Sequence, residues 1–173
     1  LEANDRLIVA NQGVVVKALE GNERALLLHN DDDGRRERER LVAADDHVKN
    51  PRGTLVYHME LIKLLSLATK GNHVENQGWV QRRLPLAELA EHLRSDPSPL
   101  PLVAGYVDVL RNVYLNTDRK AALAAKAEAL TKVEDALRAL IPRLAASAEK
   151  PAAPEDHEQT RLVLFDFVLP TLH

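Results

Sequence analysis

The densest group of possible metal ligands in the sequence is the acidic turn NDDDG at 30–34, which suggests a calcium site. An EF-hand loop needs oxygen ligands at alternate positions, a glycine at the sixth position and a glutamate at the twelfth. With Gly34 at the sixth position, two of the aspartates fall on ligand positions, but Arg40 replaces the closing glutamate. We therefore interpret the turn as a solvated loop and expect no calcium site.

The run RRERER at 35–40 is the sequence's strongest concentration of basic residues and could attract a phosphate group. Its interleaved glutamates cancel much of the field that a phosphate would feel. Opposite charges three or four residues apart also suit an exposed helix. The run is interpreted as a solvated helix face, and with a net charge of −3 no nucleic-acid partner is expected.

Seven histidines are scattered along the sequence, and none shows the H-E-x-x-H spacing that places two imidazoles on one helix face for zinc. No G-x-S-x-G turn, phosphate-binding loop or dinucleotide-binding glycine pattern is present. His58 lies in an apolar stretch, where we expect it to make a satisfied hydrogen bond beside the core. We expect no catalytic, ligand-binding or metal-binding residue and no cofactor, so the chain is not expected to be an enzyme.

A short motif, V-x-N-Q-G-x-V-x-x-x-L, occurs at 9–19 and again at 74–84. Its polar and glycine positions are Asn11, Gln12, Gly13, Asn76, Gln77 and Gly78. The amides could line a peptide-binding groove, or they could tie one helix to the next through buried hydrogen bonds, which we favour. A glycine inside a helix costs about 0.5–1 kcal/mol relative to alanine, so the two glycines suggest close approaches between backbones.

The rest of the chain is organised around the stretch 55–84. Its first half is apolar almost all round, which is typical of a helix buried between neighbouring helices. Gly71 is suited to end this helix, and Asn72 and Glu75 can form a capping box for the next one. A helix, a turn and a second helix form the unit of a helical repeat, and the duplicated motif indicates a stacked array.

Apolar periodicity and breaks at Gly and Pro predict further helices along the whole chain. The predicted ranges are 5–19, 35–46, 86–94, 102–115 and 119–150, with a bend or an end near Pro142, and a final helix within 151–173. Only 3% of the 173 residues are aromatic, so the core must be built from Leu, Ala, Val and Ile, which favours helix packing. The sequence therefore predicts an all-α, armadillo-like helical-repeat fold (an α-solenoid) of about seven to nine helices.

We assign residues 1–150 to the helical array and residues 151–173 to a linker and the final helix of the same array. No apolar run reaches the roughly 18 residues of a membrane span. The first residue is Leu and the helical pattern begins almost at once, so we expect the chain to be a piece of a longer protein.

Five groups of residues occur in the order and approximate spacing found in a known family. They are GNERALLLHND at 21–31, NP at 50–51, YHMELIKLLSLATKGN at 57–72, LPL at 84–86 and YLNTD at 114–118. Together they resemble the inositol trisphosphate receptors, which are intracellular calcium-release channels. The resemblance extends from about residue 7 to residue 118, and beyond that point only helical character and segment length match.

The resemblance implies a place in the central cytosolic part of a large homotetrameric channel, at and beyond the ryanodine–inositol trisphosphate receptor homology region. That region is built of armadillo-like repeats, with the ligand-binding core toward the N-terminus and the pore near the C-terminus. The implied function is non-catalytic transmission of conformational change between them. The implied partners are the neighbouring repeats and the other subunits. The implied location is the cytosolic face of the endoplasmic reticulum or another calcium-store membrane, without direct membrane contact by this segment.

A soluble armadillo-type adaptor that binds an extended peptide on its concave face is the alternative interpretation. The parent gene distinguishes the two interpretations. Several apolar spans of about 20 residues downstream would favour the channel, whereas further repeats followed by a stop would favour the adaptor.

Overall fold

The computed structural model describes residues 2–20, 32–71, 73–95, 98–115 and 127–149. All regular secondary structure in these ranges is helical. The helices are α1 (Glu2–Glu20), α2 (Asp32–Ala43), α3 (Asp46–Lys49), α4 (Thr54–Thr69), α5 (Val74–Arg83), α6 (Leu86–Ser95), α7 (Leu100–Val109), a π-helical segment (Leu110–Leu115) that continues α7, and α8 (Ala127–Glu149). The predicted all-α class is confirmed. The predicted linker and final helix at 151–173 and the start of the predicted helix at 119 lie outside the described residues.

Helix α4 is the packing centre of the described part of the chain. It contacts α1, α2, α3, α5, α7 and the π-helical segment. Helices α6 and α8 pack against each other, and α6 also contacts α7 and the π-helical segment. Helices therefore pack on elements beyond their immediate neighbours in sequence, which agrees with a stack, while the armadillo-like form of that stack stays a prediction.

The exposed side of α4 differs from the prediction of a helix that is buried all round. Tyr57, Leu64 and Leu67 are 48%, 39% and 51% exposed, because the neighbouring helices cover the opposite side. The predicted stop at Gly71 is confirmed, since its φ of +87° lies in the left-handed region that favours glycine.

The charged segment after the acidic turn folds as two helices instead of the single helix predicted at 35–46. Helix α2 begins already at Asp32, because Asp32 and Asp33 in its first turn complement the positive end of the helix dipole. Asp45 adopts a left-handed conformation with φ of 53°, and this turn separates α2 from the short helix α3.

Two predicted helix ends are also corrected. His73 is the N-cap residue of α5, and its Nδ1 accepts a hydrogen bond from the Asn76 backbone N–H at 3.4 Å. The predicted cap Asn72 lies outside the described residues. Helix α8 continues through Pro142 to Glu149, with Pro142 itself exposed and Leu140 and Leu144 buried on either side of it.

Candidate functional site

Two of the predicted motif amides connect α4 to its neighbours. Gln12 Nε2 on α1 donates to the carbonyl oxygens of Leu67 and Lys70 at 2.8 and 2.9 Å. Asn76 Nδ2 on α5 donates to the carbonyl oxygen of Ala68 at 2.8 Å. These carbonyls belong to the C-terminal turn of α4, where a helix leaves acceptors without internal partners. The amides therefore cap α4 and tie it to two other helices.

The third bridging amide, Gln77, acts together with a residue that the motif did not include. Gln77 Nε2 and Gln81 Nε2, one turn apart on α5, donate to the carbonyl oxygens of Asn112 and Val113 at 2.9 and 3.0 Å. Asn112 Nδ2 in turn donates to Ser66 Oγ on α4 at 2.9 Å. The π-helical segment is therefore held to both α4 and α5 by side-chain hydrogen bonds, and the i, i+4 spacing of the glutamines was the signal in the sequence.

The remaining motif residues do not have the predicted environment. Asn11 is exposed. A Cβ atom added at Gly13 would meet nothing within 4 Å, and one added at Gly78 would meet nothing nearer than 3.8 Å, so the predicted close approach is wrong at both. The close approach occurs instead at Gly105 on α7, where an added Cβ would lie 3.0 Å from Ile62 Cγ2 of α4.

Four buried polar side chains from four helices form what we call the buried polar network: Arg38 on α2, His92 on α6, Tyr106 on α7 and His58 on α4. Arg38 Nη2 lies 3.0 Å from His92 Nδ1. The His92 ring stacks on Tyr106 at 5.1 Å between centroids and 10° between planes. Tyr106 Oη lies 3.0 Å from His58 Nε2, which confirms the predicted hydrogen bond of His58 beside the core.

The burial of Arg38 corrects the prediction that the whole RRERER run is solvated. Only 2% of Arg38 is exposed, whereas the other arginines of the run are exposed. Gly34, Arg38 and Leu41 are the buried residues of α2, and their i, i+4, i+7 spacing places them on one helix face. That periodicity was present in the sequence, but the uniform charge of the run concealed which arginine faces inward.

The chemistry of the side chains fixes the direction of the Arg38–His92 hydrogen bond. A guanidinium group can only donate, so His92 Nδ1 must accept and the ring proton must lie on Nε2. The bond between Tyr106 and His58 can run in either direction, because a tyrosine hydroxyl both donates and accepts. The hydrogen bond between Tyr106 and His58 can therefore survive a second proton on the imidazole, whereas the hydrogen bond from Arg38 to His92 cannot.

An open cleft of about 460 Å³ lies where α2, α6 and α8 meet. It is lined by Arg35, Ala87, Glu88, Ala90, Glu91, Arg94, Lys132 and Asp135, so its cations and carboxylates are equal in number. Glu91 and Arg94 form an ion pair at 2.7 Å. Partial burial raises the pKa of the Glu88 carboxyl group, and the nearby Arg35 charge opposes that rise. Because the positive and negative side chains that line it are equal in number, the cleft has no strong preference for one sign of ligand.

Tyr114 joins the π-helical segment to the end of α5. Its buried hydroxyl donates to the carbonyl oxygen of Leu84 at 2.6 Å. Burial raises the pKa of Tyr114 well above its usual range, and the Glu88 charge acts in the same direction. The folded chain therefore favours the protonated form of this hydroxyl group.

Within the described ranges, no three or more His, Cys, Asp or Glu side chains come close enough together to hold a metal ion. In the same part of the chain, no helix combines the length and apolar character needed to cross a bilayer. The polar groups that the fold brings together connect helices to one another. Comparisons with family models, with curated proteins and with solved structures find no match to this chain.

Proposed function

We propose that this chain is a non-catalytic, cytosolic helical-repeat segment of an inositol-trisphosphate-receptor-like calcium-release channel, and that it transmits conformational change between the ligand-binding and pore regions. The buried polar network is the single observation that carries the mechanical part of this proposal. Apolar contacts stabilise the packing of helices but are not directional. Hydrogen bonds and ring stacking depend on distance and angle, so a displacement of one helix must strain its partners.

The network connects elements that are distant in sequence. Arg38 and His92 are 54 residues apart, and His58 and Tyr106 are 48 residues apart. Helix α4 has the most neighbours in the described part of the chain. A rotation of α2 would act on it through α6 and α7 as well as through the direct contact between α2 and α4. Stacked helical arrays suit such a function, because small rotations between neighbours add up along the array.

The channel assignment rests on the resemblance of this sequence to the receptor family. Its longest matching segment, at 57–72, includes most of α4 and its C-terminal turn. On this proposal, the parent protein is a homotetramer, the segment lies on the cytosolic side of a calcium-store membrane, and its partners are neighbouring repeats of its own chain.

The proposal can be tested in the full-length parent protein, expressed in cells that lack their own inositol trisphosphate receptors. The parent should release stored calcium in response to inositol trisphosphate, and Arg38→Met should change the half-maximal concentration by about fivefold or more. Arg36→Met is the matched control, because Arg36 lies on the same helix but is exposed. Absence of evoked release would refute the channel assignment, and equal effects of the two variants would refute the coupling.

A peptide-binding adaptor is the second candidate, and the exposed apolar side chains of α4 favour it. Tyr57, Leu64 and Leu67 present an apolar surface that a peptide side chain could contact. Triple substitution of these residues by serine should abolish peptide binding in an adaptor and leave calcium release unchanged in a channel.

A further inference from the structure

We infer that the Arg38–His92 contact is sensitive to acid: it holds α2 against α6 while His92 is neutral and breaks when His92 takes up a proton. The geometry carries the inference, because Nη2 of a permanently charged guanidinium lies 3.0 Å from Nδ1 of a buried imidazole. A second proton on His92 must occupy Nδ1, which removes the only acceptor in this bond. It also places two positive charges side by side in a buried environment, where their repulsion is poorly screened.

In the described part of the chain, helix α2 buries little apolar surface. Its buried residues are Gly34, Arg38 and Leu41, and only Leu41 among them has a large apolar side chain. The remaining side chains of α2 are mostly charged and exposed. Segments with few buried apolar contacts open more readily than the core, so a change at the buried Arg38 should alter the local opening of α2.

The second histidine of the network provides an internal comparison. If His58 takes up a proton, Tyr106 Oη can accept the hydrogen bond that it would otherwise donate. His58 can therefore be protonated and keep its hydrogen bond with Tyr106, whereas a proton on His92 Nδ1 breaks the hydrogen bond from Arg38. The same acidification should thus act on the contact between α2 and α6 and leave the contact between α4 and α7 intact.

The effect of protonating His92 must be distinguished from the effects of protonating other ionisable groups around it. Three of these groups, Glu88, Glu91 and Arg94, lie on α6 itself. The others face α6 from the elements packed against it: Arg35 and Arg38 on α2, Tyr106 on α7, Tyr114 on the π-helical segment, and Lys132 and Asp135 on α8. Glu88 matters most among the carboxylates, because its raised pKa brings its protonation closer to neutral pH and Arg35 lies nearby. His47 on α3 is a further candidate, since α3 packs on α2.

The test is amide hydrogen exchange of α2 in the whole chain, corrected for intrinsic rates, at about pH 7.5 and about pH 5.5. An ordinary imidazole titrates near pH 6.5, so opening that exposes His92 should become about tenfold more favourable across this interval. The variant His92→Asn keeps an acceptor near the Nδ1 position but cannot titrate, and it should abolish the change. The variants His58→Gln, His47→Asn and Glu88→Gln should each retain it.

A second measurement stands independently of whether His92→Asn folds. Nitrogen chemical shifts of the parent at about pH 7.5 should show His92 protonated at Nε2 and unprotonated at Nδ1. The inference is overturned by a proton on Nδ1, by unchanged α2 exchange in the parent, or by an equal change in His92→Asn. It does not depend on the channel assignment, because every measurement uses the 173-residue chain itself.

Discussion

Glycines in this chain differ in what an added side chain would meet. Gly78 lies inside α5 with open space around the Cβ position, whereas Gly105 on α7 lies against Ile62 of α4. The sequence pattern drew attention to Gly78 because it belongs to a repeated motif. Nothing in the sequence distinguished Gly105, because its close contact is with a helix more than forty residues away along the chain.

Substitution by leucine should separate these two glycines. At Gly105 it should lower the free energy of unfolding by about 1–3 kcal/mol, because the larger side chain overpacks the α4–α7 contact. At Gly78 it should not destabilise, and Gly78→Ala should stabilise by about 0.5–1 kcal/mol, because both residues form helix better than glycine. Urea unfolding measures all three variants. Equal losses for the two leucine variants would contradict the assignment of the close approach.

Tyr114 should make stability sensitive to alkaline pH. The folded chain raises the pKa of Tyr114, so its contribution to stability is fully present below the ordinary tyrosine pKa of about 10 and is lost as pH rises beyond it. Tyr114→Phe should cost about 0.5–1.5 kcal/mol at neutral pH, because the Leu84 carbonyl oxygen loses its donor. It should also reduce the loss of stability above pH 10.

Tyr57→Phe is the matched control for Tyr114→Phe, since nearly half of Tyr57 is exposed. Thermal melts at neutral pH and at about pH 10.5 should show no difference between this variant and the parent. If Tyr114→Phe is as sensitive to alkali as the parent, Tyr114 is not the group responsible.

At the scale of helices, the existence of most elements follows from the sequence, but their polar contacts do not. Amphipathic periodicity and Gly or Pro breaks predicted α4, α6 and α7 close to their observed positions. The inward face of α2 was missed because Arg38 resembles its exposed neighbours in composition. The π-helical segment was missed because its residues are ordinary helix formers, and its backbone depends on glutamines from another helix.

The glutamine pair on α5 should determine whether Leu110–Leu115 stays π-helical. A π-turn contains one residue more than an α-turn, so deletion of the exposed Arg111 should restore α-helical register. In the parent, this deletion should be destabilising, because it moves the carbonyl oxygens of Asn112 and Val113 away from Gln77 and Gln81. In a Gln77→Leu, Gln81→Leu background those bonds are already absent, so the same deletion should cost less.

The four chains of this double-mutant cycle can be compared by urea unfolding. The coupling between deletion and glutamine substitution should be about 0.5–3 kcal/mol, as expected for groups in direct contact. An equal cost of the deletion in both backgrounds would show that the glutamines do not hold the π-helical segment in place.

At the scale of the whole molecule, the arrangement of contacts bears on how a local disturbance spreads. Helix α8 packs chiefly on α6, whereas α1 packs on α4 and α5. In the described part of the chain, these two regions are connected through α4 and α6, with α7, the π-helical segment and the Arg38–His92 contact of α2 between them. Arrays whose elements contact mainly their neighbours open in parts, in contrast to a domain with one shared core.

Core truncations at two places should reveal whether this chain opens in parts. Leu140→Ala removes a fully buried side chain from α8, and Leu65→Ala removes one from α4; each should destabilise by about 2–5 kcal/mol where its helix is packed. We expect Leu140→Ala to increase amide exchange in α8 and α6 while α1 stays protected. Leu65→Ala should increase exchange in α1, α4 and α7 together, because α4 contacts both of the others. If both variants increase amide exchange equally in every helix, the chain unfolds as one cooperative unit. That result would remove the physical basis for transmission by small displacements between neighbouring helices.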